Sequence, residues 1–157
     1  MYVIDTNVLL DWWERRYPPD IFPAVKEKME QLVAANKLIA PEGVRGEVNH
    51  VGSHGLKQWA NNHRAIFLPH SAALQHEATD IQQRFPGFID LTAIHDEADR
   101  WIVGLAKIKS CAVLSHETRA RTKKKPPRSH YVPDVCDELA IKCVDFLQMM
   151  RAERWQF

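Results

Sequence analysis

Cysteine is scarce in this chain of 157 residues, and its three copies, Cys111, Cys136 and Cys143, are odd in number and never spaced as Cys-x-x-Cys. That argues against a disulfide framework or a structural zinc site and predicts reduced, buried thiols. Long apolar runs are missing too: charges or prolines interrupt every stretch short of the roughly eighteen residues that a membrane span needs. The opening Met1-Tyr2-Val3-Ile4-Asp5 has no positive start, and neither an apolar core segment nor a small-residue cleavage site follows, so no signal peptide is expected. Internal repeats, linkers and low-complexity segments are lacking. Together these absences predict a soluble, cytoplasmic protein with one domain over residues 1–157. A content of 45% hydrophobic and 26% charged residues suffices for one well-buried core.

A large excess of charge of either sign is also lacking, since the formal net charge is +1. The distribution is uneven. Six of the 21 Lys and Arg lie between Arg119 and Arg128, which leaves fifteen to face twenty acidic residues elsewhere. A mildly acidic body carrying one basic loop is a different electrostatic object from a neutral protein. Prolines 126 and 127 disfavour helix in that loop, and its charges disfavour burial.

What is present alternates between short apolar runs and helical periodicity. Tyr2-Val3-Ile4 reads as a strand ending at Asp5, with Thr6-Asn7 opening a helix that carries Val8, Leu9, Leu10, Trp12 and Trp13. Ile21, Val25, Met29, Leu32 and Val33 mark a second helix capped near Asn36. Leu38-Ile39-Ala40 is a compact strand, and Pro41-Glu42 opens a third helix carrying Val44, Glu47, Val48 and Val51. Residues 52 to 91 read as mostly helical. An amphipathic stripe predicts a helix from about Ile94 to Lys107, and Cys111 to Leu114 a buried strand. Tyr131-Val132 is expected to be a further strand, and Leu139 to Met150 a last helix. This order argues for an α/β sandwich with a parallel sheet.

Four acids, Asp5, Glu47, Asp99 and Glu117, fall near strand ends or helix starts. In open parallel sheets, ligand sites form beyond the carboxyl ends of the strands, which puts Asp5 and Glu117 on one edge. Gathering carboxylates there costs several kcal/mol without a cation, so the pattern points to a divalent-metal site. Oxygen ligands suit Mg²⁺ and Mn²⁺.

Val3-Ile4-Asp5-Thr6-Asn7-Val8-Leu9-Leu10, the mid-chain Glu47, the segment Asp99-Arg100-Trp101-Ile102-Val103-Gly104-Leu105-Ala106 and Val113-Leu114-Ser115-His116-Glu117 resemble PIN-domain ribonucleases. The resemblance covers most of the chain. It implies a three-layer α/β/α sandwich with a short, mainly parallel sheet and Mg²⁺- or Mn²⁺-dependent cleavage of RNA. By resemblance to prokaryotic VapC-type members, it also implies toxin activity restrained by an antitoxin, and a homodimer. On the matching positions, Asp5, Glu47 and Asp99 take the family's first three acids and Glu117 the fourth, where Asp is commoner. Ser115 takes the hydroxyl position of the strand-end motif, while Thr6 and Asn7 support Asp5 or contact substrate. Arg119, Arg121, Lys123, Lys124 and Lys125 are candidates for binding RNA phosphates.

Competing readings attach to several residues. Asp96 is a possible extra ligand, whereas Asp134 reads as a helix cap. His50 and His54 lack a third ligand for zinc, and His116 is expected to be an exposed strand-end side chain. Trp12 and Trp13 cannot easily both point inward, which suggests that one contributes to a dimer or antitoxin contact. A haloacid-dehalogenase-type phosphatase would need an acid where Asn7 stands. A catalytically inactive PIN-like module that binds RNA or a partner is the alternative from another class.

Overall fold

Val3, Ile4, Val113 and Leu114 are completely buried, as strands covered on both faces must be. They belong to β1 (Tyr2–Ile4) and β4 (Ala112–Leu114), which join β2 (Leu38–Pro41), β3 (Phe67–Leu68) and β5 (Cys143–Val144) in one five-stranded sheet of order β3-β2-β1-β4-β5. Every pairing is parallel, with Val3 opposite both Ile39 and Val113, and Leu114 opposite Val144. The computed structural model describes residues 1–89 and 97–157.

Helices flank the sheet in a three-layer α/β/α sandwich. They are α1 (Thr6–Leu10), α2 (Pro23–Ala34), α3 (Glu42–Val51), α4 (His54–Asn62), α5 (Ala72–Arg84), α6 (Asp99–Lys109), α7 (Val132–Glu138) and α8 (Phe146–Ala152). The central helix is α6, which packs on β1, β2 and β4 through a buried Trp101–Ala106 stretch and receives α5 on its other side. Gly104 permits that approach, since a Cβ there would lie 3.3 Å from the Leu74 Cδ1. One hydrophobic cluster runs from Tyr2 to Met149, and each fully buried Val, Leu or Ile in it contributes about 1.5–3 kcal/mol. Among the described residues, no helix is long and apolar enough to cross a membrane.

Several expected elements differ. Tyr131-Val132 is not a strand: Tyr131 is the N-cap of α7 and Val132 its first residue. The Asp134 carboxylate accepts from the Tyr131 amide at 2.9 Å, which is the capping role anticipated for it. The single helix from Leu139 to Met150 is interrupted, because Ala140 turns the chain at φ 55 and Cys143–Val144 extends the sheet as β5. Asp145 then starts α8 with a capping box, accepting from the Gln148 amide at 2.7 Å and donating its own amide to Gln148 Oε1 at 2.9 Å. The region read as mostly helical from 52 to 91 holds α4 and α5 and, between them, β3; residues 90 and 91 of that reading lie outside the described residues. Of the helix expected from Ile94, the described part starts at Asp99, and residues 94–96 lie outside the described residues.

Trp12 and Trp13 both reach apolar surroundings because the chain leaves α1 through a π-helical turn, Asp11–Arg16, closed by the Tyr17 amide on the Trp12 carbonyl at 3.1 Å. Widening the turn re-aims successive side chains. Trp12 is fully buried and meets Trp13 and Trp59 edge to face at 5.3 and 5.1 Å. Trp13 is half-buried, with its ring centroid also 6.2 Å from that of Trp59. Of the cysteines, only Cys136 is fully buried; Cys111 and Cys143 are half-buried, and all three are free thiols.

Candidate active site in the crevice between β1 and β4

Chain order reverses at β1, which lies between β2 and β4, and at such a switch point the loops leaving the strands diverge to open a crevice. Asp5 stands there. It occupies the N-cap position of α1, yet its side chain makes no capping hydrogen bond. The Asp5 amide is instead tied to the Leu114 carbonyl at 3.0 Å, at the end of β4. The residue is only 4% exposed. Oδ2 accepts from Asn7 Nδ2 at 2.6 Å and from the Ser115 hydroxyl at 2.7 Å. Ser115 Oγ in turn accepts from the Glu117 amide at 3.1 Å, so one hydroxyl links the first acid to the segment bearing the last.

Glu47 projects from α3 to join two other segments. Its Oε2 accepts from the Thr6 hydroxyl, and its Oε1 from the Ala98 amide at 3.1 Å, one residue before Asp99. Asp99 is the first residue of α6, where the helix dipole favours a negative charge. Glu117 Oε2 accepts from the Val132 amide at 2.9 Å, at the start of α7. Each acid therefore comes from a separate stretch of chain, and backbone or hydroxyl donors aim three of them.

Their proximity is visible in their acidities. Burial raises the Asp5 pKa to about 7, and Glu117 and Glu47 push the same way, while the Ser115 hydrogen bond opposes them. Burial also holds Asp99 well above the ordinary carboxylate range, reinforced by Asp5, Glu117, Glu97 and Glu47. Glu117 is raised by burial, against the pull of the Val132 amide, Arg128 and Lys123. Like charges that destabilise one another's ionised forms leave the crevice short of positive charge.

Carboxylate oxygens from Asp5, Glu47, Asp99 and Glu117 are the donor set that hard divalent cations take. As the side chains stand, no three His, Cys, Asp or Glu among the described residues form a ready metal-binding group. A cation of the chain's own reaches in. Arg128 donates through Nη2 to Glu97 Oε1, and through Nη1 to Asp99 Oδ2 and the Phe88 carbonyl, both at 3.5 Å. Burial works against its charge, but Glu97, Asp99 and Glu117 keep its pKa above the ordinary arginine value.

The remaining anticipated residues divide by position. Thr6 and Ser115 are buried against the acids and aim them, donating their hydroxyls to Glu47 and Asp5. Asn7 does likewise, and its side-chain oxygen accepts from the His116 amide at 3.0 Å. Arg119 is spent on a bidentate pair with Asp137 at 2.6 and 2.8 Å. Lys123 lies 4.4 Å over the Tyr131 ring, while Arg121, Lys124 and Lys125 are exposed. Asp96 falls outside the described residues.

His116 is not the exposed strand-end side chain expected. Its side chain is 9% exposed, with Nδ1 at 2.7 Å from Asp11 Oδ2 and Nε2 accepting from the Phe146 amide at 3.4 Å. Those partners fix Nδ1 as the protonated nitrogen. Glu97 and Arg128 are residues of the crevice that the sequence reading did not place among the four acids. The Pro126-Pro127 pair, which stiffens the chain just ahead of Arg128, was a usable signal.

A family model described as Domain of unknown function (DUF4411) matches residues 2–157. No curated protein and no solved structure matches the chain.

Proposed function

Because the chain belongs to that family, whose description assigns no chemistry, function is read from the crevice, and we propose a Mg²⁺- or Mn²⁺-dependent ribonuclease of the PIN type that hydrolyses RNA phosphodiester bonds. The observation that carries this reading is geometric: Ser115 links Asp5 to the Glu117 amide, and Glu47 is tied to the Ala98 amide beside Asp99, the first residue of α6; burial first, and then Asp5, Glu117, Glu97 and Glu47, hold Asp99 above the ordinary carboxylate range. Four mutually repelling carboxylates at a switch point make sense as a site awaiting positive charge.

In this reading, Asp5 and Asp99 are the main cation ligands, with Glu47 and Glu117 completing the shell. When bound, the cation supplies neutralisation of the phosphodiester's developing charge and activation of water for in-line attack. The chain's own groups prepare that step. Ser115 and Asn7 hold Asp5 Oδ2, Thr6 and the Ala98 amide hold Glu47, and the Val132 amide holds Glu117, which fixes acids that would otherwise splay apart. Exposed Arg121, Lys124 and Lys125 draw the RNA backbone toward the crevice over about a Debye length of 8 Å.

Purified protein with Mn²⁺ is expected to cut RNA and leave a generic phosphomonoester intact, and Asp5→Asn or Asp99→Asn to abolish cutting without loss of the folded state. Wild-type turnover by either variant would sink the assignment. A second reading, a non-cleaving module that binds RNA or a partner, is favoured by the Arg128 pairing with Asp99; binding of RNA without cleavage supports it. The toxin role and a homodimer extend the same resemblance. Growth inhibition relieved by a small protein encoded next to this chain would support an antitoxin partner.

A further inference from the structure

We propose that Arg128 is an intramolecular counterion that a divalent cation must displace from the crevice, which makes the basic arm from Arg119 to Arg128 a built-in brake on loading the site. The inference rests on the reading of Asp5, Glu47, Asp99 and Glu117 as cation ligands.

Within the arm, the positive groups have different employments. Arg119 is held by Asp137 and Lys123 by Tyr131 and Thr118, while Lys124 and Lys125 face solvent. Among the described residues, Arg128 is the one of them in salt-bridge contact with site acids, Glu97 and Asp99, at the entry to α6, while Lys123 acts on Glu117 without such contact. It brings one charge to a cluster whose members repel one another, so it stands in for part of the charge that a divalent ion would bring.

Its seat is shaped for the purpose. A Cβ on Gly87 would come within 1.8 Å of the Ser129 hydroxyl and 3.0 Å of Ser129 Cβ, so the chain next to Arg128 lies flush against a position that only glycine leaves open. The Gly87 carbonyl accepts from the His130 amide at 3.5 Å, and the His130 ring packs 5.4 Å from Phe85. Asp134 ties the two ends of the arm together by accepting from the amides of Ala120 and Tyr131, both at 2.9 Å. The guanidinium is nevertheless about a quarter exposed, and such partly solvated pairs exchange for stronger partners at modest cost. Two charges on a compact ion outbid one on a guanidinium once enough of that ion is present.

Mn²⁺ binding to the full chain, followed by titration calorimetry, tests this with two variants that leave all four acids in place. Arg128→Met removes the competitor and is expected to tighten the Kd by about tenfold. Gly87→Val keeps Arg128 but denies Ser129 its seat, and is expected to tighten binding several-fold; it carries the test if the first variant does not fold. Cleavage of RNA at limiting Mn²⁺ should rise in parallel. If the wild type binds Mn²⁺ and neither variant binds it more tightly, the brake is refuted while the cation site stands. If none of the three proteins binds Mn²⁺, the cation site is refuted and the brake falls with it.

Discussion

Raising the pH should weaken the cation-free protein, contrary to the habit of carboxylates in stabilising pairs. Asp5 ionises near 3.8 in an unfolded chain and at about 7 in the folded one. Between those values the folded state retains a proton that the unfolded state has already released. Stability is therefore full below pH 4 and is lost as the pH rises through 7. At 1.36 kcal/mol for each tenfold change in acidity, complete ionisation of Asp5 costs the fold about 4 kcal/mol. Asp99 and Glu117, displaced in the same direction, add to the loss. About 3 kcal/mol of the Asp5 cost falls between pH 5 and pH 8, the rest having been lost below pH 5, which for a domain of this length corresponds to a melting temperature roughly 5–10 °C lower at pH 8 than at pH 5. Thermal melts in chelator measure it directly. Asp5→Asn should remove most of the drop, and Mn²⁺ should restore the wild type chiefly at the higher pH. A chelated wild type as stable at pH 8 as at pH 5, or an Asn variant with an undiminished drop, would refute the reasoning.

Three further outcomes are expected. Ser115→Ala strips a partner from both Asp5 Oδ2 and the Glu117 amide, and should cost about 1–3 kcal/mol in urea denaturation as well as slowing RNA cleavage. Gly104→Leu forces a side chain into the contact between α6 and α5, 3.3 Å from Leu74 and 3.5 Å from Glu77, and should cost about 1–3 kcal/mol, read from the same denaturation curves. Replacing Lys123, Lys124 and Lys125 by Ser should weaken RNA binding and flatten its salt dependence without removing the metal requirement; an unchanged salt slope would remove these residues from the RNA surface.

The strands that matter most to the site were legible because central strands of a parallel sheet are apolar on both faces: Tyr2-Val3-Ile4, Leu38-Ile39-Ala40 and Ala112-Val113-Leu114 have few polar competitors. The crevice position of Asp5 and Glu117 followed from the strand-end rule. β3 and β5 escaped notice because two residues carry no periodicity. The start of α7 was written in Pro133-Asp134 and that of α8 in the Asp145-to-Gln148 capping pair, but the apolar spacing from Leu139 to Met150 masked the break between them. His116 was misjudged because its partner, Asp11, is presented by a π-helical turn that no local propensity foretells. Arg128 was one of six basic residues in the arm, and only tertiary packing around Gly87 and Phe88 selects it over Lys124 or Lys125.

The placement of β1 between β2 and β4 has a temporal consequence. Synthesis places Asp5 ahead of Ser115, the hydroxyl partner of its carboxylate, by 110 residues, and Leu114, the acceptor of its amide, comes just before that serine. Such distant pairings close slowly. A chain made only as far as α6 cannot assemble the acids, so whatever chemistry they carry waits until β4 and the segment after it have docked beside β1.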